Sequence, residues 1–223
     1  MRRVIDRMHM REVTIAYGMT ETSPISFQSN VDDPIDRRVA TVGRIHPHVE
    51  VKIVDESSRI VPLGRAGELC TRGYCVMRGY WEDAERTRES IDAAGWMHTG
   101  DLATIDAEGY CNIVGRVKDM LIRGGENVYP REIEEFLFGH PKVQAAQVFG
   151  VPDPRLGEAP AAFVVAAAGA VPDEAVLLAW AKERLANYKV PRHLWFVDEL
   201  PLNAVAKIDK VALAERSRAL LAG

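Results

Sequence analysis

The chain has 223 residues and a formal net charge of -4, and 47% of its residues are hydrophobic. This apolar content is enough for a packed core and excludes a disordered chain, and the lack of a basic excess argues against nucleic-acid binding. The longest uncharged apolar stretch lies between Glu158 and Asp173 and contains Pro160 and Gly169. Because it is too short to span a bilayer, we predict no transmembrane segment.

The cysteine content favours a reduced compartment. Cys70, Cys75 and Cys111 are an odd number of thiols and lack the spacing of a metal site. Residues 1–6 contain no apolar core of a secretory signal. Secreted proteins are often stabilised by disulfide frameworks, and these three cysteines do not form one. We therefore expect a cytoplasmic protein with reduced thiols.

Residues 1–115 are predicted to be mainly β-structure. Apolar and charged residues alternate over residues 49–53, which is typical of a half-buried strand. Residues 106–109 (Asp-Ala-Glu-Gly) predict the turn of a hairpin. Frequent glycines favour a small barrel or a curled sheet. The predicted strands cover residues 49–53, 69–71, 75–77, 102–105 and 110–114.

Residues 116–223 alternate helices and strands and are predicted to form a second domain, so the fold class is α+β. Pro130 suits the first position of a helix with an acidic first turn. Asp173 or Pro172 opens a second helix, and Asp209 caps a third over residues 210–221. The predicted strands cover residues 143–148, 161–165 and 194–197.

The first stretch with chemical potential is residues 15–24. Tyr17 offers an aromatic face, Thr20 a hydroxyl and Glu21 a carboxylate. These groups suit stacking on a base, contact with a phosphate and binding of a hard cation. Taken alone, they also suit a solvent-exposed turn.

The second stretch is residues 96–101, in which Asp101 follows a glycine. A carboxylate after a glycine turn can accept two hydrogen bonds from a ribose diol, but it also suits a simple turn. We interpret His98 as a neutral turn residue.

The third stretch, residues 115–130, and a lysine near the end of the chain complete the set. Arg116 has a planar donor fork that suits ribose or phosphate oxygens, and Gly124-Gly125 allows close approach of a narrow ligand. No glycine-rich phosphate loop is present, so a strand–turn–helix is the alternative. Lys207 could reach an anion or be solvated.

The order and spacing of these motifs resemble the adenylate-forming acyl-CoA synthetase family, and the pattern is most similar to the medium- and long-chain fatty acyl-CoA ligases. The motifs are Tyr-Gly-Met-Thr-Glu, Gly-Glu-Leu with Arg-Gly-Tyr and Gly-Tyr-Trp, Thr-Gly-Asp, Gly-Arg-Val-Lys-Asp and Gly-Gly-Glu-Asn-Val-Tyr-Pro, followed by Lys207. The resemblance covers essentially the whole chain but only the C-terminal part of a family member.

The resemblance implies a fragment. Family members carry a phosphate loop far upstream of the first motif, and this sequence contains no such loop. We therefore expect residues 1–115 to be the end of the large AMP-binding N-terminal domain and residues 116–223 to be the mobile C-terminal domain. We expect negligible ligase activity from the chain alone and self-association through surface that the missing part would cover.

The resemblance also implies roles in the first domain. The family converts a fatty acid and ATP to an acyl-adenylate and pyrophosphate, and then transfers the acyl group to coenzyme A. Tyr17 would stack on adenine, Thr20 would contact phosphate, and Glu21 would hold Mg²⁺. Asp101 and Arg116 would contact the ribose of ATP or AMP.

In the second domain, Lys118 matches the family's hinge position. Lys207 would bridge the substrate carboxylate and the α-phosphate as the adenylate forms. Gly124, Gly125 and Glu126 would line the tunnel for the pantetheine arm of coenzyme A. One departure is Ala206, where the family usually has glycine before the lysine.

Two alternatives remain open at this stage. The chain could belong to another adenylate-forming class, such as the amino-acid adenylation domains, although the Gly-Gly-Glu-Asn-Val-Tyr-Pro segment resembles the CoA-ligase form. It could also be a non-enzymatic truncated product or a module that binds only coenzyme A.

Overall fold

The computed structural model describes residues 1–171 and 173–222, and the chain divides into two compact units. The first unit is Met1–Val117 and the second begins at Lys118. Both units mix helices and sheets, so the predicted α+β class is confirmed. Within the described ranges, no helix combines the length and the apolarity that crossing a bilayer requires.

The first unit contains two antiparallel sheets. The elements are α1 (Arg2–Met8), β1 (Ala16–Tyr17), a 3₁₀ helix (Thr20–Thr22), β2 (Phe27–Gln28), α2 (Ile35–Ala40), β3 (Arg44–Ile45), β4 (Val49–Val54), β5 (Gly67–Gly73), α3 (Ala84–Ser90), β6 (Met97–Ile105) and β7 (Cys111–Arg116). One sheet has the order β1-β2-β3 and the other has the order β4-β5-β6-β7. The second sheet is open, because within the described residues β4 and β7 do not pair, so the prediction of a closed barrel is wrong.

The sheets of the first unit share an apolar core. Phe27 of β2 and Leu69 of β5 are completely buried and belong to one cluster with Ile53, Ala103 and Cys111. The predicted hairpin at residues 106–109 is confirmed as the connection between β6 and β7.

The strand predicted at residues 75–77 is wrong. Gly73 ends β5, and the amide of Val76 donates to the Gly73 carbonyl oxygen at 3.1 Å, which closes a turn. The Met77 amide then donates to the carbonyl oxygen of Glu21 at 2.8 Å. The apolar run therefore folds back toward the Thr20–Thr22 helix instead of joining a sheet.

The second unit is a five-stranded sheet with helices on both faces. Its long central strand, Gly157–Ala166 (β11), pairs antiparallel with Val143–Asp153 (β10) and Leu121–Arg123 (β8), and parallel with His193–Val197 (β12). The other elements are a 3₁₀ helix (Val117–Asp119) at the unit boundary, β8 (Leu121–Arg123), β9 (Glu126–Val128), α4 (Pro130–Phe138), β10 (Val143–Asp153), α5 (Glu174–Lys182), a 3₁₀ helix (Asn187–Lys189), β12 (His193–Val197) and α6 (Lys210–Ala222).

The sequence located the helix starts of this unit correctly. Pro130 is the first residue of α4, and the Asp173 carboxylate caps α5 by accepting a hydrogen bond from the Val176 amide at 3.1 Å. Asp209 caps α6 in the same way, since one carboxylate oxygen accepts from the amides of residues 211 and 212. The other start considered for α5, Pro172, lies outside the described residues.

Alternate residues of β11 face the two layers of helices. Ala162 and Val164 pack in one cluster with Ile133 and Leu137 of α4. Phe163 points to the opposite face, where it packs in a cluster with Leu213 of α6. The sheet is therefore covered on both sides, and its loops present the remaining candidate residues.

Candidate functional site

The site in the first unit begins with an irregularity between β5 and β6. Glu68 pairs with Leu102 and Cys70 pairs with His98, so a step of two residues on β5 faces a step of four on β6. The extra residues form a bulge at 99–101. Bulges of this kind are common beside functional sites because they redirect a side chain.

Hydrogen bonds and a glycine fix the shape of this bulge. The Thr99 hydroxyl donates to the carbonyl oxygen of Leu69 at 2.7 Å and accepts from the amide of Asp101 at 3.1 Å. Gly100 has a φ of +68°, a conformation that costs other residues about 1–2 kcal/mol. Asp101 and His98 therefore lie within β6, and the interpretation of residues 96–101 as a turn is wrong.

Three predicted site residues meet at this bulge. Asp101 is the cross-strand partner of Arg116 on β7, and the Arg116 Nε donates to its Oδ1 at 2.7 Å. The hydroxyl of Tyr17, on β1, donates to the other carboxylate oxygen at 2.6 Å. We call these residues the Tyr17–Asp101–Arg116 network. It joins positions up to 99 residues apart in the sequence.

The network holds its charges in a defined arrangement. Burial raises the pKa of Tyr17, and the hydrogen bond and negative charge of Asp101 raise it further, so the phenol stays a neutral donor. The Asp101 side chain is only 11% exposed, whereas that of Arg116 is 50% exposed. A nearly buried acceptor therefore lies beside a permanent cation that solvent and ligands can reach.

Glu21 and Thr20 lie on the 3₁₀ helix that follows β1. One carboxylate oxygen of Glu21 accepts a hydrogen bond from the Tyr80 hydroxyl at 2.8 Å, and Thr20 is exposed. Carboxylate oxygens are ligands that Mg²⁺ prefers. The residues present therefore fit a Mg²⁺ site. The Gly-Tyr-Trp motif quoted from the sequence contains Tyr80, but the sequence analysis assigned this residue no role.

In the second unit, Gly124 and Gly125 form the two-residue turn between β8 and β9. Their φ values are +60° and +88°, and Arg123 pairs with Glu126 across the turn. A Cβ at Gly125 would meet nothing within 4 Å. At Gly125, backbone conformation, and not lack of space among the described residues, is therefore what requires glycine, whereas a Cβ at Gly124 would also lie 3.2 Å from Cδ2 of Leu156.

Lys118 is exposed on the 3₁₀ helix at the unit boundary. Its neighbour Asp119 forms an ion pair with Lys210, the first residue of α6. The start of the second unit is thereby tied to its last helix.

Lys207 lies in an exposed loop that Asn203 organises. The side-chain Oδ1 of Asn203 accepts hydrogen bonds from the backbone amides of Val205 and Lys207 at 3.1 and 3.0 Å. The backbone amide of Asn203 donates to the Lys207 carbonyl oxygen at 2.7 Å. Ala206 has a φ of +57°. A left-handed backbone is where glycine is the unstrained residue, so alanine is strained at this position.

Family comparison matches both halves of the chain. The model of the AMP-binding enzymes matches residues 1–81, and the model of the AMP-binding enzyme C-terminal domain matches residues 132–207. The chain belongs to the AMP-binding enzyme family. The two matches lie one in each structural unit.

Two curated relatives of this chain carry the names of an acyl-CoA synthetase and an acyl-CoA ligase. The putative acyl-CoA synthetase YngI of Bacillus subtilis is 52% identical over 220 residues, which cover 97% of this chain and 40% of YngI. The mitochondrial medium-chain acyl-CoA ligase ACSF2 of Danio rerio is 48% identical over 97% of this chain and 36% of its own length. The chain spans about two fifths of the length of these relatives.

A solved structure agrees in fold. ATP-bound MatB from Rhodopseudomonas palustris matches with a TM-score of 0.84 and 39% identity, covering 92% of this chain and 40% of MatB. The roles of the individual site residues are not tested by these matches and stay predictions.

Replacement by glycine should change the free energy of unfolding differently at Ala206 and at the nearby Ala204. Ala206→Gly relieves a left-handed alanine, so we expect it to leave the free energy of unfolding unchanged or raise it by up to about 1 kcal/mol. Ala204→Gly, in the same exposed loop but outside the left-handed region, should lower it by about 0.5–1 kcal/mol. Urea unfolding of both variants measures the difference, and equal destabilisation would contradict the assigned backbone conformation.

Proposed function

We propose that this chain supplies the ribose, metal and adenylating residues of an ATP-dependent fatty acyl-CoA ligase. The enzyme would join a medium- or long-chain fatty acid to ATP, release pyrophosphate, and pass the acyl group from the adenylate to the thiol of coenzyme A. The observation that carries this proposal is the Tyr17–Asp101–Arg116 network.

Asp101 is suited to a ribose diol. Each of its oxygens holds one protein donor, and a carboxylate offers about four acceptor sites, so each oxygen can accept one more hydrogen bond. Tyr17 stays protonated and therefore adds no negative charge beside the carboxylate. The half-exposed Arg116 would add a donor to the ribose, and the Tyr17 ring would stack on adenine.

Glu21 would hold Mg²⁺ on the nucleotide phosphates, and the exposed hydroxyl of Thr20 would contact a phosphate oxygen. When bound, the ion would neutralise charge on the phosphates during adenylation. Tyr80 would keep the Glu21 carboxylate oriented through its hydrogen bond.

The residues of the second unit would act in the two half-reactions. The ammonium group of Lys207 would reduce repulsion between the substrate carboxylate and the α-phosphate. Lys118 would be the pivot between half-reactions, and coenzyme A would pass along Gly124, Gly125 and Glu126. The absence of neighbours around a Cβ at Gly125 supports an open surface for a narrow arm.

Activity would also require a part of the relatives that this chain does not match. We propose that the relatives' phosphate loop and most of the acyl pocket belong to the three fifths of their length outside the match. The chain alone would then bind nucleotide without forming an acyl-adenylate.

The ribose contact predicts discrimination between two nucleotides. Isothermal titration should give at least about tenfold tighter binding of AMP than of 2′,3′-dideoxy-AMP, because a charged acceptor gains about 1.5–3 kcal/mol per hydrogen bond. Asp101→Asn should remove most of this preference, and Arg116→Lys should weaken AMP binding by about tenfold.

A matched control is Arg72→Lys, which makes the same change in an arginine that pairs with Glu50 on the same sheet. It should bind both nucleotides as the parent chain does. Retention of the full AMP preference by Asp101→Asn would contradict the proposed ribose site.

A chimera tests the reaction class. When this chain replaces the segment that it matches in the Bacillus subtilis relative, we expect ATP–pyrophosphate exchange with medium- or long-chain fatty acids and none with amino acids. Lys207→Ala should slow exchange by about 10²–10³-fold, while Lys182→Ala, an exposed lysine of α5, should not.

Exchange driven by amino acids alone would favour the other adenylate-forming class. Exchange at the parent rate in the Lys207→Ala chimera would remove that lysine from the mechanism. The 223-residue chain by itself should give no exchange above background.

A further inference from the structure

Three potential metal ligands meet on one face of the sheet in the first unit. Glu68 and Cys70 are two residues apart on β5, and His98 pairs with Cys70 across the strands. The thiol sulfur, an imidazole nitrogen and a carboxylate oxygen all lie within 4.8 Å of one another. We call this group the Glu68–Cys70–His98 cluster. It shares no residue with the Tyr17–Asp101–Arg116 network.

The distances in the cluster are close to those of a tetrahedral zinc site. Zn–S bonds of about 2.3 Å and Zn–N bonds of about 2.05 Å at a tetrahedral angle separate sulfur and nitrogen by about 3.6 Å. The Cys70 Sγ lies 3.6 Å from the His98 Nδ1. The Glu68 Oε2 is hydrogen-bonded to the same nitrogen at 2.9 Å, so it would have to move outward by about 0.5 Å to reach the tetrahedral spacing.

A second carboxylate lies near the cluster, beyond hydrogen-bond length from the far side of the His98 ring. The other ring nitrogen of His98, Nε2, faces a carboxylate oxygen of Asp92 at 3.8 Å. The second oxygen of Asp92 accepts from the amides of Ala94 and Trp96 at 2.9 Å each. A carboxylate behind a histidine is the usual outer partner of a metal-binding imidazole.

Glu68 is oriented from its other side as well. Its Oε1 accepts from the amide of Gly100 at 3.1 Å, which leaves Oε2 directed at the cluster. Cys70 is fully buried, while the side chains of His98 and Glu68 are 25% and 24% exposed. An ion could therefore enter from solvent and keep one position for water.

We propose that the Glu68–Cys70–His98 cluster binds one divalent ion of the zinc class. Thiolate, imidazole and carboxylate together suit Zn²⁺ or Co²⁺ far better than Mg²⁺, so this site is chemically distinct from the one proposed at Glu21. As the ion binds, the Cys70 thiol would give its proton to the buffer, and the proton that His98 Nδ1 donates to Glu68 in the ion-free chain would move to Nε2, on the Asp92 side. The ion would clamp β5 to β6 directly before the bulge that carries Asp101.

The test is a metal titration of the full chain, freed of any purification tag and stripped with a chelator. Co²⁺ should bind with one equivalent and produce a near-ultraviolet thiolate-to-cobalt absorption band, and Zn²⁺ should displace it. Cys70→Ala should remove the band and weaken binding at least 100-fold. Cys75→Ala, which removes a buried thiol outside the cluster, should change neither.

Two milder variants keep the test decisive if Cys70→Ala does not fold. Glu68→Gln retains an oxygen for the Gly100 amide and should weaken Co²⁺ binding at least tenfold while the thiolate band persists at saturation. Asp92→Asn should weaken binding by about tenfold. Failure of the parent chain to produce the band, a band that survives in Cys70→Ala, or parent affinity in Glu68→Gln would each overturn the proposal.

Discussion

The backbone bulge at residues 99–101 is the constraint on which the rest of the first unit's site depends. Without the extra residues on β6, the regular alternation of a strand would decide where Asp101 points. With the extra residues, Asp101 lies opposite Arg116 on β7. Its carboxylate also accepts a hydrogen bond from the hydroxyl of Tyr17, which lies in the other sheet of this unit. Gly100 adopts the positive φ of the bulge without strain, and the Thr99 hydroxyl holds the bulge against β5 by a hydrogen bond.

The same bulge links two features that differ in chemistry. The Gly100 amide, within the bulge, donates to Glu68, whose other oxygen faces His98. The face of the sheet with the Glu68–Cys70–His98 cluster and the carboxylate of Asp101 are thus positioned by one local irregularity. A ribose acceptor needs such preorganisation, because a carboxylate that must first be oriented loses part of its binding energy to entropy.

The sequence predicted best what is local. Pro130, Asp173 and Asp209 mark helix starts because a cap acts on amides two or three residues away, and the hairpin at 106–109 is set by its own turn residues. The strand expected at 75–77 failed because its apolar residues fold back toward Glu21, a contact that composition does not encode.

The site residues were found as a set only through the resemblance of motif order, and their contacts were not predictable. The Tyr17 hydroxyl reaches Asp101 across 84 positions. Cys70 and His98 are 28 residues apart, so spacing rules for metal ligands miss a cluster that strand register assembles. The sequence marked Ala206 only as a departure from the family pattern, and its left-handed backbone became visible in the structure.

The most direct test of the bulge is Gly100→Ala, compared with Gly109→Ala. Both glycines have positive φ, and at both a Cβ would meet nothing within 4 Å, so each variant adds the same strain of about 1–2 kcal/mol without a clash. If the bulge positions the ribose acceptor, Gly100→Ala will weaken AMP binding at least fivefold as the strand relaxes toward regular pairing, and Gly109→Ala, in the distant hairpin turn, will bind as the parent chain does. Equal AMP affinity in the two variants would contradict the account.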